Sequence, residues 1–190
     1  MIEPQNRRCG CSCPTNTIEG AMRWLSRIML VVISLLALLP TTSFACPPAD
    51  EWEWVENELN QLWHTRVDLC FQPSGGAKGR LGRVLANFDW LHRMDARFGR
   101  GTAVGILAHE WGHAVFNASE LQSDCLAGFA LRNIAPSWQF HNFVNASNFQ
   151  GSPRHGFGIQ RRNAVARGYS HGGSHTRQEL LTAVCPMGTR

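Results

Sequence analysis

From Asp50 onward the apolar positions recur mostly at helical spacing. Trp52, Val55, Leu59, Leu62 and Trp63 mark one face of an amphipathic helix over 51–65, with Asp50 as its N-cap and Glu53 three residues later. "RVDLCF" (66–71) and "RVLANFD" (83–89) read as short strands that pair as a hairpin around a Gly-rich loop, 72–82. A short helix over 90–101 ends at glycine. Thr102 then caps a helix to Phe116 whose apolar residues, Val104, Ile106, Leu107, Trp111, Ala114 and Val115, surround it on nearly every side, which predicts a buried helix. Ser119 and Gln122 form a capping-box pattern, so another helix runs from Ser119 to about Asn133, and Pro136 prevents its continuation. Residues 137–157 read as loop, with Trp138, Phe140, Phe143 and Phe149 covering the core. Helices follow over 159–169 and 178–184. The pattern predicts a mostly helical α+β domain with a small β-hairpin or sheet.

The first 45 residues follow another rule. Arg23 and Arg27 precede a 12-residue apolar run, Ile28 to Leu39, broken by Pro40, and Ser43 and Ala45 occupy the small-residue positions of a cleavage site before Cys46. This reads as an export signal behind an N-terminal extension, with Met22 a more ordinary start; an uncleaved membrane anchor is the alternative. "CGCSC" at 9–13 reads as incidental. Residues 46–190 then form a single domain in the periplasm or outside the cell. They hold four cysteines, 46, 70, 125 and 185, and an even count behind a signal implies two disulfides. Three pairings are open; Cys125–Cys185 with Cys46–Cys70 is the expected one, because it ties the C-terminal tail to the helix starting at Ser119.

Composition excludes one class. The 190-residue chain is 44% hydrophobic and 17% charged, with a net charge of +4 that forms no basic stripe, so nucleic acid is not an expected partner and the membrane is met only through the signal or anchor segment.

The buried helix carries the chemistry. His109-Glu110-Trp111-Gly112-His113 is an H-E-x-x-H pattern. Histidines four apart on a helix share a face and can bind one Zn2+ ion, and the glutamate between them can take a proton from water on the metal. Polar groups on a buried helix are costly unless something compensates them. A third protein ligand is needed, and Glu120 and Asp124 are the nearest carboxylates. Eleven residues of continuous helix would put Glu120 about 16 Å from His109 along the axis, so the chain must turn back. The capping box at Ser119 marks the turn, and Asn117 tolerates the left-handed conformation it needs. Glu120 and Asp124 share a face of the second helix; one can ligate while the other takes a hydrogen bond from a ligating histidine.

These residues resemble the neutral zinc metallopeptidase family. The resemblance rests on H-E-x-x-H followed by E-L-Q-x-D-C (Glu120 to Cys125), on "RFGRGTAVGILAHEWGH" (97–113), on "HGFGIQRRNAVARGY" (155–169) and on Cys185, and it covers about residues 83–185. It implies a small gluzincin-like core with Glu120 as ligand, Asp124 orienting a histidine, and His155 beside the reacting carbonyl. The family has a longer insert before the acidic pair. Only six residues separate His113 from Glu120 here, which keeps Asp124 open as the ligand. The function implied is an exported metallopeptidase that acts on peptides or proteins through zinc-bound water activated by Glu110. A zinc-binding module without turnover and a zinc hydrolase of a non-peptide amide are the alternatives.

Overall fold

The computed structural model describes residues 50–149 and 156–186. In chain order these form a 3-10 turn (Asp50–Trp52), α1 (Glu53–Leu62), β1 (Asp68–Phe71), β2 (Ala77–Arg80), β3 (Arg83–Ala86), α2 (Phe88–Phe98), α3 (Thr102–Phe116), α4 (Glu120–Ile134), α5 (Ser137–Phe149), α6 (Gly158–Ser170) and α7 (Arg177–Glu179), which passes into a wider π-type turn, Leu180–Val184. The fold is a mostly helical α+β arrangement around a three-stranded mixed sheet. The segment read as an export signal, Cys46 and His155 lie outside the described residues.

The sheet corrects the expected hairpin. Its order is β1-β3-β2, with β1 parallel to β3 (Asp68 opposite Arg83) and β2 antiparallel to β3 (Ala77 opposite Ala86). The segment read as a loop therefore supplies the edge strand β2. Its sequence, Ala-Lys-Gly-Arg, lacks the β-branched and aromatic residues that announce a strand. Gly79 is there for a different reason: β2 lies against α3, and a Cβ at this position would overlap the Glu110 carbonyl.

α3 is buried along most of its length, as its sequence predicts. Leu107, Ala108 and Trp111 are fully enclosed, and the Trp111 indole N–H donates to the side-chain Oδ1 of Asn60 on α1 at 3.2 Å. Thr102 does not cap it. Gly101, left-handed at φ +88°, takes the cap position, and the Asp95 carboxylate of α2 accepts from the Ala103 N–H at 2.7 Å. The N-cap position of α1 is Trp52, not Asp50 as expected, because a 3-10 turn precedes the helix, and Trp52 makes no side-chain cap bond.

Residues 137–149 are helix, not loop. Asn and Ser dilute the apolar stripe that would reveal α5, yet Phe140, Phe143 and Val144 do fall at helical spacing. Phe143 is buried against Gly105 of α3 and Phe140 packs partly buried on the core, while Trp138 stays 46% exposed; the Phe149 side chain lies outside what is described.

The closest helix pair is α4 and α6. A Cβ on Gly128 would overlap the Val165 carbonyl, and one on Gly168 would overlap the Cys125 carbonyl, so the two backbones touch. The Cys125–Cys185 disulfide pins the end of the chain to α4 across 60 residues of sequence. Cys70 is disulfide-bonded as well, and its partner lies outside the described residues.

Candidate metal centre

The site is built at the corner between α3 and α4. Asn117 adopts φ 51° and ψ 38°, which reverses the chain, and the Ala118 N–H donates back to the Gly112 carbonyl. The Gln122 half of the capping box forms: the Ser119 N–H donates to Gln122 Oε1 at 3.2 Å, and the Gln122 side-chain amide also donates to the Cys185 carbonyl. The reversal lays the start of α4 beside the end of α3 and brings Glu120 to the histidine face.

Both histidines are locked from behind. His109 Nδ1 bonds the Asp124 carboxylate at 2.9 Å, and His113 Nδ1 donates to the Ala118 carbonyl at 2.8 Å. A carbonyl can only accept, so the His113 proton sits on Nδ1, and an ionised Asp124 places the His109 proton there too. Each ring then turns Nε2 toward the other. The two Nε2 atoms lie 3.1 Å apart, and Glu120 puts one carboxylate oxygen 3.3 Å from His109 Nε2 and the other 3.6 Å from His113 Nε2. A tetrahedral ion with bonds near 2 Å needs its ligand atoms roughly 3.3 Å apart. The triangle has that size, and these three residues could hold a metal ion.

The electrostatics agree with that geometry. Burial alone would lower the His109 pKa, but the bonds and charges of Asp124 and Glu120 outweigh it and push it up to about 10. Burial likewise opposes ionisation of Glu120, yet the two histidines hold its carboxyl below the usual range. Asp124 is fully buried and still ionised, first through Arg161 and then through His109. A metal ion at Nε2 must displace the His109 proton, which stays bound below about pH 10 and competes harder as the pH falls. Zinc binding at neutral pH is therefore expected to release about one proton, with affinity rising as the pH rises. Calorimetry in buffers of different ionisation enthalpy measures this; a heat that does not depend on the buffer would contradict it.

Glu120 and Asp124 occupy different places. Glu120 faces both Nε2 atoms, whereas Asp124 lies behind His109, with both oxygens engaged by Arg161. Glu120→Gln is expected to lose most bound zinc under mild chelation, and Asp124→Asn to weaken binding only about 10–100-fold. Zinc retention after dialysis against a chelator ranks them, and the opposite order would make Asp124 the ligand.

Glu110 accepts a hydrogen bond from the Gly79 N–H, which ties it to β2. It lines a cleft of about 750 Å³ together with His109, His113, Glu120 and Arg161; the remaining wall is Gly76 to Gly79, Trp90, Ile106 and Phe143. Tyr169, His171 and His175, further along the chain, do not line this cleft. Tyr169 stacks on Phe140, His171 bonds the Arg167 carbonyl, and His175 rests on Phe129. Sequence reasoning overlooked Arg161, whose Nε and Nη2 donate to Asp124 at 2.8 and 2.7 Å. The available signal was its place in the "QRR" segment, one turn before Val165 on the face that meets Gly128. Compared with known proteins, the chain matches no family model, no curated protein and no solved structure.

Proposed function

We propose that this chain is an exported, gluzincin-like zinc metallopeptidase that hydrolyses peptide bonds. The observation that carries the reading is the Nε2, Nε2, carboxylate triangle with Glu110 beside it on the same helix. Two imidazoles and one carboxylate suit zinc, and three protein ligands leave a position for substrate. His109, His113 and Glu120 would hold the ion, which when bound supplies Lewis acidity that makes water easier to deprotonate and a carbonyl easier to attack. Glu110 takes the proton of the attacking water and delivers it to the leaving amine. Asp124 keeps His109 in the tautomer that offers Nε2 to the site.

The substrate class follows from β2. The Asn87 N–H bonds the Gly76 carbonyl across the β2–β3 ladder. By antiparallel alternation, Lys78 and Arg80 also face β3, while Ala77 and Gly79 turn their backbone groups outward to the cleft. Gly79 N–H is taken by Glu110. Ala77 offers an N–H and a C=O of the kind an extended peptide pairs with. The Cys125–Cys185 disulfide supports an oxidising compartment.

The test is cleavage of a mixed peptide library by the zinc-loaded protein. Activity is expected with one zinc per chain, to vanish on chelation and to return with one equivalent of zinc, and a His109→Ala, His113→Ala double variant should hold no metal. Full zinc retention in that variant, or no cleavage of any peptide by the loaded protein, would refute the reading.

A further inference from the structure

We propose that Arg161 is a positioning residue for the metal centre: its guanidinium fork fixes the Asp124 carboxylate, which fixes the His109 ring that presents Nε2 to the ion. The proposal rests on the reading of His109, His113 and Glu120 as zinc ligands. Three observations support it.

First, the contact is two-pronged. Arg161 Nε donates to Asp124 Oδ2 at 2.8 Å and Nη2 donates to Oδ1 at 2.7 Å. A carboxylate gripped on both oxygens cannot rotate about its Cβ–Cγ bond. Oδ1 is also the atom that bonds His109 Nδ1 at 2.9 Å, so the grip passes directly to the ring. Second, the chain of contacts is buried. Asp124 is 0% exposed, while Arg161 and His109 are each 6% exposed, so water does not compete for these bonds. Third, α6 cannot drift. Asp124 faces Arg161 and Gly128 faces Val165 at the same offset along the chain, so α4 and α6 run side by side in the same direction. Their backbones touch at Gly128 and Gly168. That fixed contact delivers Arg161 to Asp124 from a helix that carries none of the three ligand residues.

Lysine separates positioning from simple charge compensation. It supplies a buried cation beside Asp124 but only a point donor, so one carboxylate oxygen is released. The experiment compares the full chain with Arg161→Lys and Arg161→Met. It measures zinc affinity by competition with a chromophoric chelator and the visible absorption of bound Co2+, which reports ligand geometry; circular dichroism checks the fold. Both variants are expected to lose about 10–100-fold in zinc affinity and to show altered Co2+ bands. If either folded variant keeps the wild-type affinity and spectrum while only its melting temperature falls, Arg161 is a structural residue and the proposal is overturned. Should Arg161→Met fail to fold, Arg161→Lys decides alone. If the wild type itself binds no zinc, the metal-centre reading falls and this proposal with it; if it binds zinc and the variants match it, only the proposal falls.

Discussion

Glu110→Gln is expected to keep its zinc and lose peptide hydrolysis by about 10²–10⁴-fold, the usual worth of a positioned general base. Glutamine has the shape of glutamate and keeps a carbonyl oxygen for the Gly79 N–H, so β2 stays seated on α3. The Nε2 atoms and Glu120 are untouched, so metal content is unchanged. The proton acceptor is what disappears. The fall should therefore be in kcat, with little change in KM, because the lost interaction belongs to the transition state. Zinc content and steady-state kinetics on one preparation provide the check. Normal turnover by the variant would remove Glu110 from the reaction, and loss of zinc would make it part of the ligand set.

The second large effect concerns stability. Asp124→Ala is expected to destabilise the protein by about 3–5 kcal/mol, the cost of taking one partner from a buried ion pair. Arg161 would keep its charge in a position that is 6% exposed, with the Asp124 carboxylate gone. Removing both charges together, with Asp124→Leu and Arg161→Met, should cost less than the single change, because the Arg161 charge is not left buried without the Asp124 carboxylate. Urea unfolding of the three chains after zinc removal measures the difference, and a double variant less stable than Asp124→Ala would contradict this account. The pH dependence has a definite sign. The folded Asp124 pKa is lowered from 3.8, so its contribution is present above that value and fades as the pH falls through the lower folded value.

Local patterns made much of this fold legible. The all-round apolar surface of α3, the helix start at Ser119 and the left-handed Asn117 are each written within a few residues, and each takes its expected form. Glu120 and Asp124 share a helix face in the sequence, but which of them meets Nε2 depends on the angle of the corner, which no short pattern encodes. The strand β2 was hidden because Gly79 answers to a neighbouring helix, not to strand propensity. Helix α5 was hidden because its polar residues serve specific contacts: Asn142 donates to the Arg100 carbonyl, and Gln139 packs on Gly101. Arg161 was hidden because its partner lies 37 residues away on another helix.

Gly79 has a further consequence, for the fidelity of strand pairing. Sheets with one packed face are vulnerable to slipping by a residue, which exchanges the two faces of a strand. Here a slip of one in either direction would bring Lys78 or Arg80 to the point where α3 leaves no room for a Cβ. The Glu110 carbonyl would block either arrangement. The Glu110 backbone thus proofreads the register of the strand beside it, and a misregistered edge could not close over the cleft.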